Sequence, residues 1–202
     1  MARSPGVKNA TSPDDDAALF VALGALLRAE KTLSSPIAWV EDGPGNLRFN
    51  RTLDIDGVTE ASFILFGRAV AVLPDRHVVL GLRWVDATGR GGHFDRFDWN
   101  PMDAHNNKGL GPPEFRHVVV EGTHHHRLAD NAALTMGLAQ AMRENLPVAV
   151  PVEPEPGWQD FLAAATQSWH IHDLVNTPVP PWQYDLLTFP GARGCRPMTG
   201  IK

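Results

Sequence analysis

Six of the nine histidines fall between His93 and Asn131, at positions 93, 105, 117, 124, 125 and 126. Arg96, Asp98, Trp99, Asn100, Asn106, Asn107, Lys108, Arg116, Arg127, Asp130 and Asn131 lie in the same stretch. Ordering so many polar groups costs solvation and chain entropy, so the stretch reads as the functional centre. Three uses of it stand open. In an extended His124-His125-His126 the outer two rings share a side. With Asp98, Asp95 or His105 they make a candidate site for zinc or another divalent metal, although no His-Glu-x-x-His or cysteine cluster accompanies them. Without a metal, His124 and His126 beside Arg96 and Asp98, assisted by His117 or His105, form an acid–base set suited to RNA cleavage. Imidazole exchanges its proton near neutral pH, and a guanidinium stabilises charge on a phosphorane-like oxygen. Third, the same groups staple a long loop to a sheet and cap a helix, with Asp98, Asn100 and Asn131 bonded to main chain.

The elements that must position these residues are strands. Over His93–Trp99, His93, Asp95, Phe97 and Trp99 point one way and Phe94, Arg96 and Asp98 the other. A strand over Phe115–Glu121 is expected to return beside it after the loop 100–114, placing either His117 or Arg116 with Arg96 and Asp98 according to a register the sequence leaves open. Upstream, the period-two segments around Pro36–Val40, Leu47–Ile55, Thr59–Leu73 and His77–Val85 are joined by turns such as Asp56-Gly57, which predicts an antiparallel meander. Ser12-Pro13 followed by Asp14, Asp15 and Asp16 predicts a helix to about Lys31, a second is expected from Arg127 to Asn145, and a third from Trp158 to Val175. The fold class is α+β: a meander of about six strands packed against two or three helices. The expected divisions are a disordered tail over 1–13, a core domain over 14–152, and a C-terminal helix with a wrapping tail over 153–202. Trp99, at the mouth of the loop, suits core packing or a stacking platform for a base.

Composition bounds the partners. A net charge of −5 excludes broad, nonspecific DNA binding, which needs clustered Lys and Arg, but leaves room for a local RNA or nucleotide site. The single cysteine, Cys195, excludes a disulfide framework and has no local base to activate it. With no signal-like apolar segment and no apolar run of membrane-spanning length, a cytoplasmic protein is expected.

Arg96-Phe97-Asp98-Trp99-Asn100, followed by His124-His125-His126 and a helix from Arg127, resembles the strand signature and His-x-His element of small bacterial toxin-like proteins of the TumE type. The likeness covers residues 60–146. Phe97 stands where that pattern has tyrosine, and Trp99 separates its Asp-Asn pair. The chain also resembles uncharacterised proteins of bacterial mobile elements and phages carrying Asp-Trp-Asn-Pro and then Gly-Thr-His-x-His. The resemblance implies a role in a cellular conflict system. The leading expectation is a toxin-like or defence protein cleaving or modifying RNA without a metal, through His124, His126, Arg96 and Asp98, with His117 or His105. The alternative is a non-catalytic binding protein (an antitoxin, inhibitor or nucleic-acid mimic) with a structural histidine cluster and a protein partner.

Overall fold

Alternation over residues 46–99 builds the frame that carries the site. In the computed structural model, which describes residues 13–86 and 91–184, five strands run antiparallel through this part: β2 (Val40–Glu41), β3 (Asn46–Ile55), β4 (Val58–Val70), β5 (Val78–Val85) and β6 (Gly91–Trp99). Asp56 and Gly57 join β3 to β4 with φ of 51° and 76°, the paired positive values of a tight hairpin turn whose twist matches the strands. Preceding them, β1 (Lys31–Leu33) pairs with β3. Beyond β6 the sheet continues through β9 (His124–His126) and β10 (Val150–Pro151), in the order β1-β3-β4-β5-β6-β9-β10, with β2 on β3. β7 (His105–Asn106) and β8 (Val119–Val120) form a separate two-stranded ribbon.

One face of the sheet is apolar. Phe49, Leu65, Leu80 and Phe97 share a buried cluster with Leu23 of α1 (Pro13–Arg28) and with Phe161, Ala165 and Trp169 of α4 (Trp158–Trp169). Phe97 anchors this layer, its ring edge-on to Trp169 at 5.3 Å and to Phe161 at 5.9 Å. Trp99 belongs to the same layer, 5% exposed, its indole donating to Pro156 O, so it is a core residue and no platform for a base. The C-terminal end of α1 is capped by Lys31, a residue 1% exposed whose ammonium donates to the carbonyls of Leu26, Leu27 and Ala29. Burial pushes its pKa down to about 8.

The α+β class and the meander stand as expected. Upstream, Lys31–Leu33 is a strand where the first helix was expected to end, and the strand expected over 36–40 is only Val40–Glu41. The larger differences lie downstream of β6. Residues 115–117 form a turn, not a strand, and only Val119–Val120 is extended, paired with His105–Asn106. β9 takes the place beside β6 that was expected for 115–121. The helix expected over 127–145 is two short ones, α2 (Leu128–Ala132) and α3 (Leu138–Arg143), interrupted at Gly137, where φ is 81°. The last helix stops at Trp169, because His170 turns left-handed with φ of 51°, and His172 lies beyond it. Cys195, residues 1–12 of the tail expected over 1–13 and the end of the C-terminal tail lie outside the described residues, and Pro13 already belongs to α1. Among the described residues no helix is long and apolar enough to cross a membrane.

Candidate metal centre

Register brings the site together. Arg96 of β6 lies directly opposite His126 of β9, and Asp98 opposite His124. Residues opposite one another share a face, so all four project from the side of the sheet away from the α4 layer. Between them, Phe97 faces His125 on the core side. His105 arrives from the ribbon, its ring centroid 5.3 Å from that of His124 and 4.8 Å from that of His126. One ring nitrogen from each of His105, His124 and His126 lies within 4.8 Å of the other two.

The outer nitrogens are committed. His105 Nε2 donates to Pro147 O at 2.9 Å, His124 Nδ1 to Gly122 O at 2.9 Å and His126 Nδ1 to Leu146 O at 2.6 Å. A carbonyl only accepts, so each of these nitrogens carries the proton, and the neutral ring keeps its lone pair on the other: His105 Nδ1, His124 Nε2 and His126 Nε2. Fixing a tautomer from outside in this way is what second neighbours do for metal-binding histidines.

Charge gathers at the centre. Asp98 Oδ2 stands 3.3 Å from His124 Nε2 and 3.5 Å from His126 Nε2. Arg96 reaches in as well. Its Nη2 donates to His126 Nε2 at 2.6 Å and to Asp98 Oδ2 at 3.2 Å, its Nη1 to Asn145 O at 3.0 Å, and its Nε faces Asp98 Oδ1 at 2.9 Å as an ion pair without hydrogen-bond alignment. Burial pushes His126 down to about 4, with Arg96 adding to it against Asp98. Burial also lowers His105, partly offset by its bond to Pro147 O. For Asp98, burial pushes upward, but positive charge on its partners, His124 and His126 with a proton on Nε2 and the Arg96 guanidinium, outweighs it and holds the carboxyl well below the usual carboxylate range.

Of the residues singled out from sequence, His105, His124, His126, Arg96 and Asp98 converge, and His117 does not. It is exposed on the turn over 113–117. Its expected place depended on a strand that the prolines at 112 and 113 and the turn that follows replace. Asp95 is on the core side, 3% exposed, and is no partner of the cluster. It accepts from Trp169 Nε1, Leu128 N and the His125 ring. Asn131 and Asn100 are bonded to main chain as the structural reading has it: Asn131 to Arg127 O and Val148 O, Asn100 to Asp75 O. Sequence reasoning missed the carbonyls of Gly122, Leu146 and Pro147 that orient the rings, because any residue type supplies a carbonyl. It also missed Asn107, 0% exposed, which donates to Phe115 O and Ala149 O and accepts from Ala149 N.

No family model, curated protein or solved structure matches the chain.

Proposed function

We propose that the chain is a divalent-metal enzyme, binding one ion of the zinc class through His105, His124, His126 and Asp98 and hydrolysing a phosphate ester. In the toxin-like role that the resemblance implies, that ester belongs to RNA. One observation carries the reading: His124 Nε2, its other nitrogen committed to Gly122 O, faces Asp98 Oδ2 at 3.3 Å. Two acceptors so close repel unless a proton or a cation lies between them. The nitrogen and carboxylate donor set is one that zinc takes at about 2.0–2.2 Å, which requires the three rings to close by roughly an ångström. Arg96 Nη2, on both His126 Nε2 and Asp98 Oδ2, marks the centre as a place that favours positive charge.

A bound ion there would polarise a phosphoryl oxygen and lower the pKa of a water molecule. Asp98 neutralises part of its charge, and the three carbonyls hold the rings in one tautomer. Arg96 must swing away from His126 for the ring to ligate. Once displaced, it remains within reach of a substrate oxygen, to which a guanidinium binds in a fork. Acid–base chemistry without a metal fits the site less well. With its pKa near 4, His126 is neither protonated nor strongly basic at neutral pH.

The 2.6 Å contact between Arg96 and His126 supports a second reading, in which Arg96 is the permanent cation of a purely structural cluster in a binding protein. Metal analysis after extensive dialysis, together with calorimetric titration with zinc, separates the two. The first reading expects about one ion per chain in the wild type and none in His124→Ala/His126→Ala, with tighter binding in Arg96→Gln, where the competitor is gone. If zinc binds neither the wild type nor Arg96→Gln, the structural reading stands.

A further inference from the structure

The face that carries the metal centre extends across the sheet into a second polar surface with another character. Reading the register straight across the strands, Arg48 of β3 lies opposite Arg68 of β4, Arg68 opposite Val79 of β5, Val79 opposite Asp98, and Asp98 opposite His124. One row of side chains therefore runs from two arginines into the cluster. At the interstrand spacing, Arg68 is two strands, roughly 10 Å, from Asp98.

Arg48 and Arg68, with Arg83, His77, His93 and Asn50, line a groove of about 480 Å³. Several features of it are costly to the fold alone. Like charges directly opposite in an antiparallel pair destabilise it, yet Arg48 and Arg68 occupy such a pair. Arg48 meets Asp42, the one carboxylate among the lining residues, at 3.1 Å, and Arg68 leans over the Phe66 ring at 5.6 Å. Arg83 Nε, His77 Nδ1 and His93 Nδ1 are buried atoms without a hydrogen-bond partner. His77 adopts a left-handed backbone with φ of 55°, a conformation that strains a residue bearing a side chain. His93 stacks on Phe66 at 4.4 Å. Burial, then Arg96, Arg68 and Arg83, push its pKa down to about 4, as expected in a strongly positive field. All of this sits on a chain whose net charge is −5.

We infer that this groove is a phosphate-binding site that holds the backbone of a phosphodiester substrate, with Arg48, Arg68 and Arg83 on its non-bridging oxygens. Its description as a substrate subsite rests on the metal-centre reading, whereas phosphate binding by the groove does not. An anion between Arg48 and Arg68 converts a repulsive pair into two charge-assisted contacts and supplies an acceptor for the unpaired Arg83 Nε–H. The row's direction leads a strand anchored there towards Asp98 and His124.

The test uses the full chain in chelator and a fluorescein-labelled single-stranded RNA octamer, with binding read by anisotropy across a salt series. Wild type should bind with a steep salt dependence, and Arg48→Gln/Arg68→Gln should weaken binding at least about tenfold and lower the salt slope by roughly 1.4. The chelator keeps any ion off the histidine cluster, so no metal contributes to the anisotropy. Inorganic pyrophosphate and a nucleoside monophosphate serve as competitors. If either binds the wild type and not the arginine double variant while RNA binds neither, the phosphate site stands and its ligand is a small phosphate compound. No phosphate-bearing probe binding the wild type, or equal binding by the double variant, overturns the proposal. Both arginines are exposed, so the variant should fold, and relief of the like-charge pair should leave its melting temperature equal or higher.

Discussion

Asp95 and Asp98 stand three residues apart on β6 and each meets a histidine of β9, but on opposite faces of the sheet. Asp95 is finished: Trp169 and His125 share one oxygen and Leu128 N takes the other, while His125 stacks on Phe97 at 3.7 Å. Asp98 is unfinished: its Oδ2 stands 3.3 Å from His124 Nε2 and shares a single guanidinium nitrogen with His126. The same two residue types on the same two strands thus give a structural pin on one side and a centre that calls for positive charge on the other. A buried carboxylate beside a histidine is therefore not in itself a sign of chemistry. The sign is a partner set that leaves acceptors opposed.

The largest effect that tests the contrast is on stability. Asp95→Ala should destabilise by about 3–5 kcal/mol in urea unfolding, because it strands the Trp169 and Leu128 donors in the core. A loss below about 1 kcal/mol would show that Asp95 pins nothing. Next is acid. His126 is held at about 4 in the fold against 6.5 when free, so between those values the unfolded chain takes up a proton that the folded chain refuses. Stability should fall as pH drops from about 6.5 to about 4, by up to roughly 2–3 kcal/mol from His126, and fall further below as Asp98 takes up its proton. His93 is pushed down to about 4 as well, so His126→Gln should lessen that slope without abolishing it whereas Asp95→Ala should leave it, and an unchanged slope would show that the cluster does not carry the effect. Smaller still, Asp98→Asn should weaken zinc binding by at least about 10–100-fold, the cost of losing even a partner that only orients a ligand, with a modest cost to the metal-free fold because Arg96 keeps Asn145 O.

The strand half of this picture is legible in the residue pattern. Period two places His124 and His126 on one side, His125 on the other, and Arg96 with Asp98. The partner of β6 is not legible there. Residues 118–120 are three valines and read as strand, yet what decides the pairing is long-range: His125 reaching Asp95 and stacking on Phe97 selects 124–126. The alanine-rich run from Ala129 to Met142 reads as one helix by propensity, but Asn131 spends its amide on Val148 and Gly137 turns left-handed, so tertiary contacts break it. His105 can be named from sequence but not placed, since its position depends on a ribbon with two residues on each side. The arginines of the groove escape notice because they are scattered over three strands. Their signal is present, each lying at a position whose alternation turns it away from the apolar face.

Asn107 and Asn131 have a further consequence. Each is wholly buried and presents its amide to the segment after α3 as a neighbouring peptide would, Asn131 donating to Val148 O and accepting from its N–H, Asn107 doing the same with Ala149. Val148 and Ala149 are outside any helix or strand, yet their amide protons should exchange with deuterated solvent as slowly as those of the central sheet. The stretch just before them, which offers the Leu146 and Pro147 carbonyls to two of the imidazoles, inherits that rigidity from two side chains.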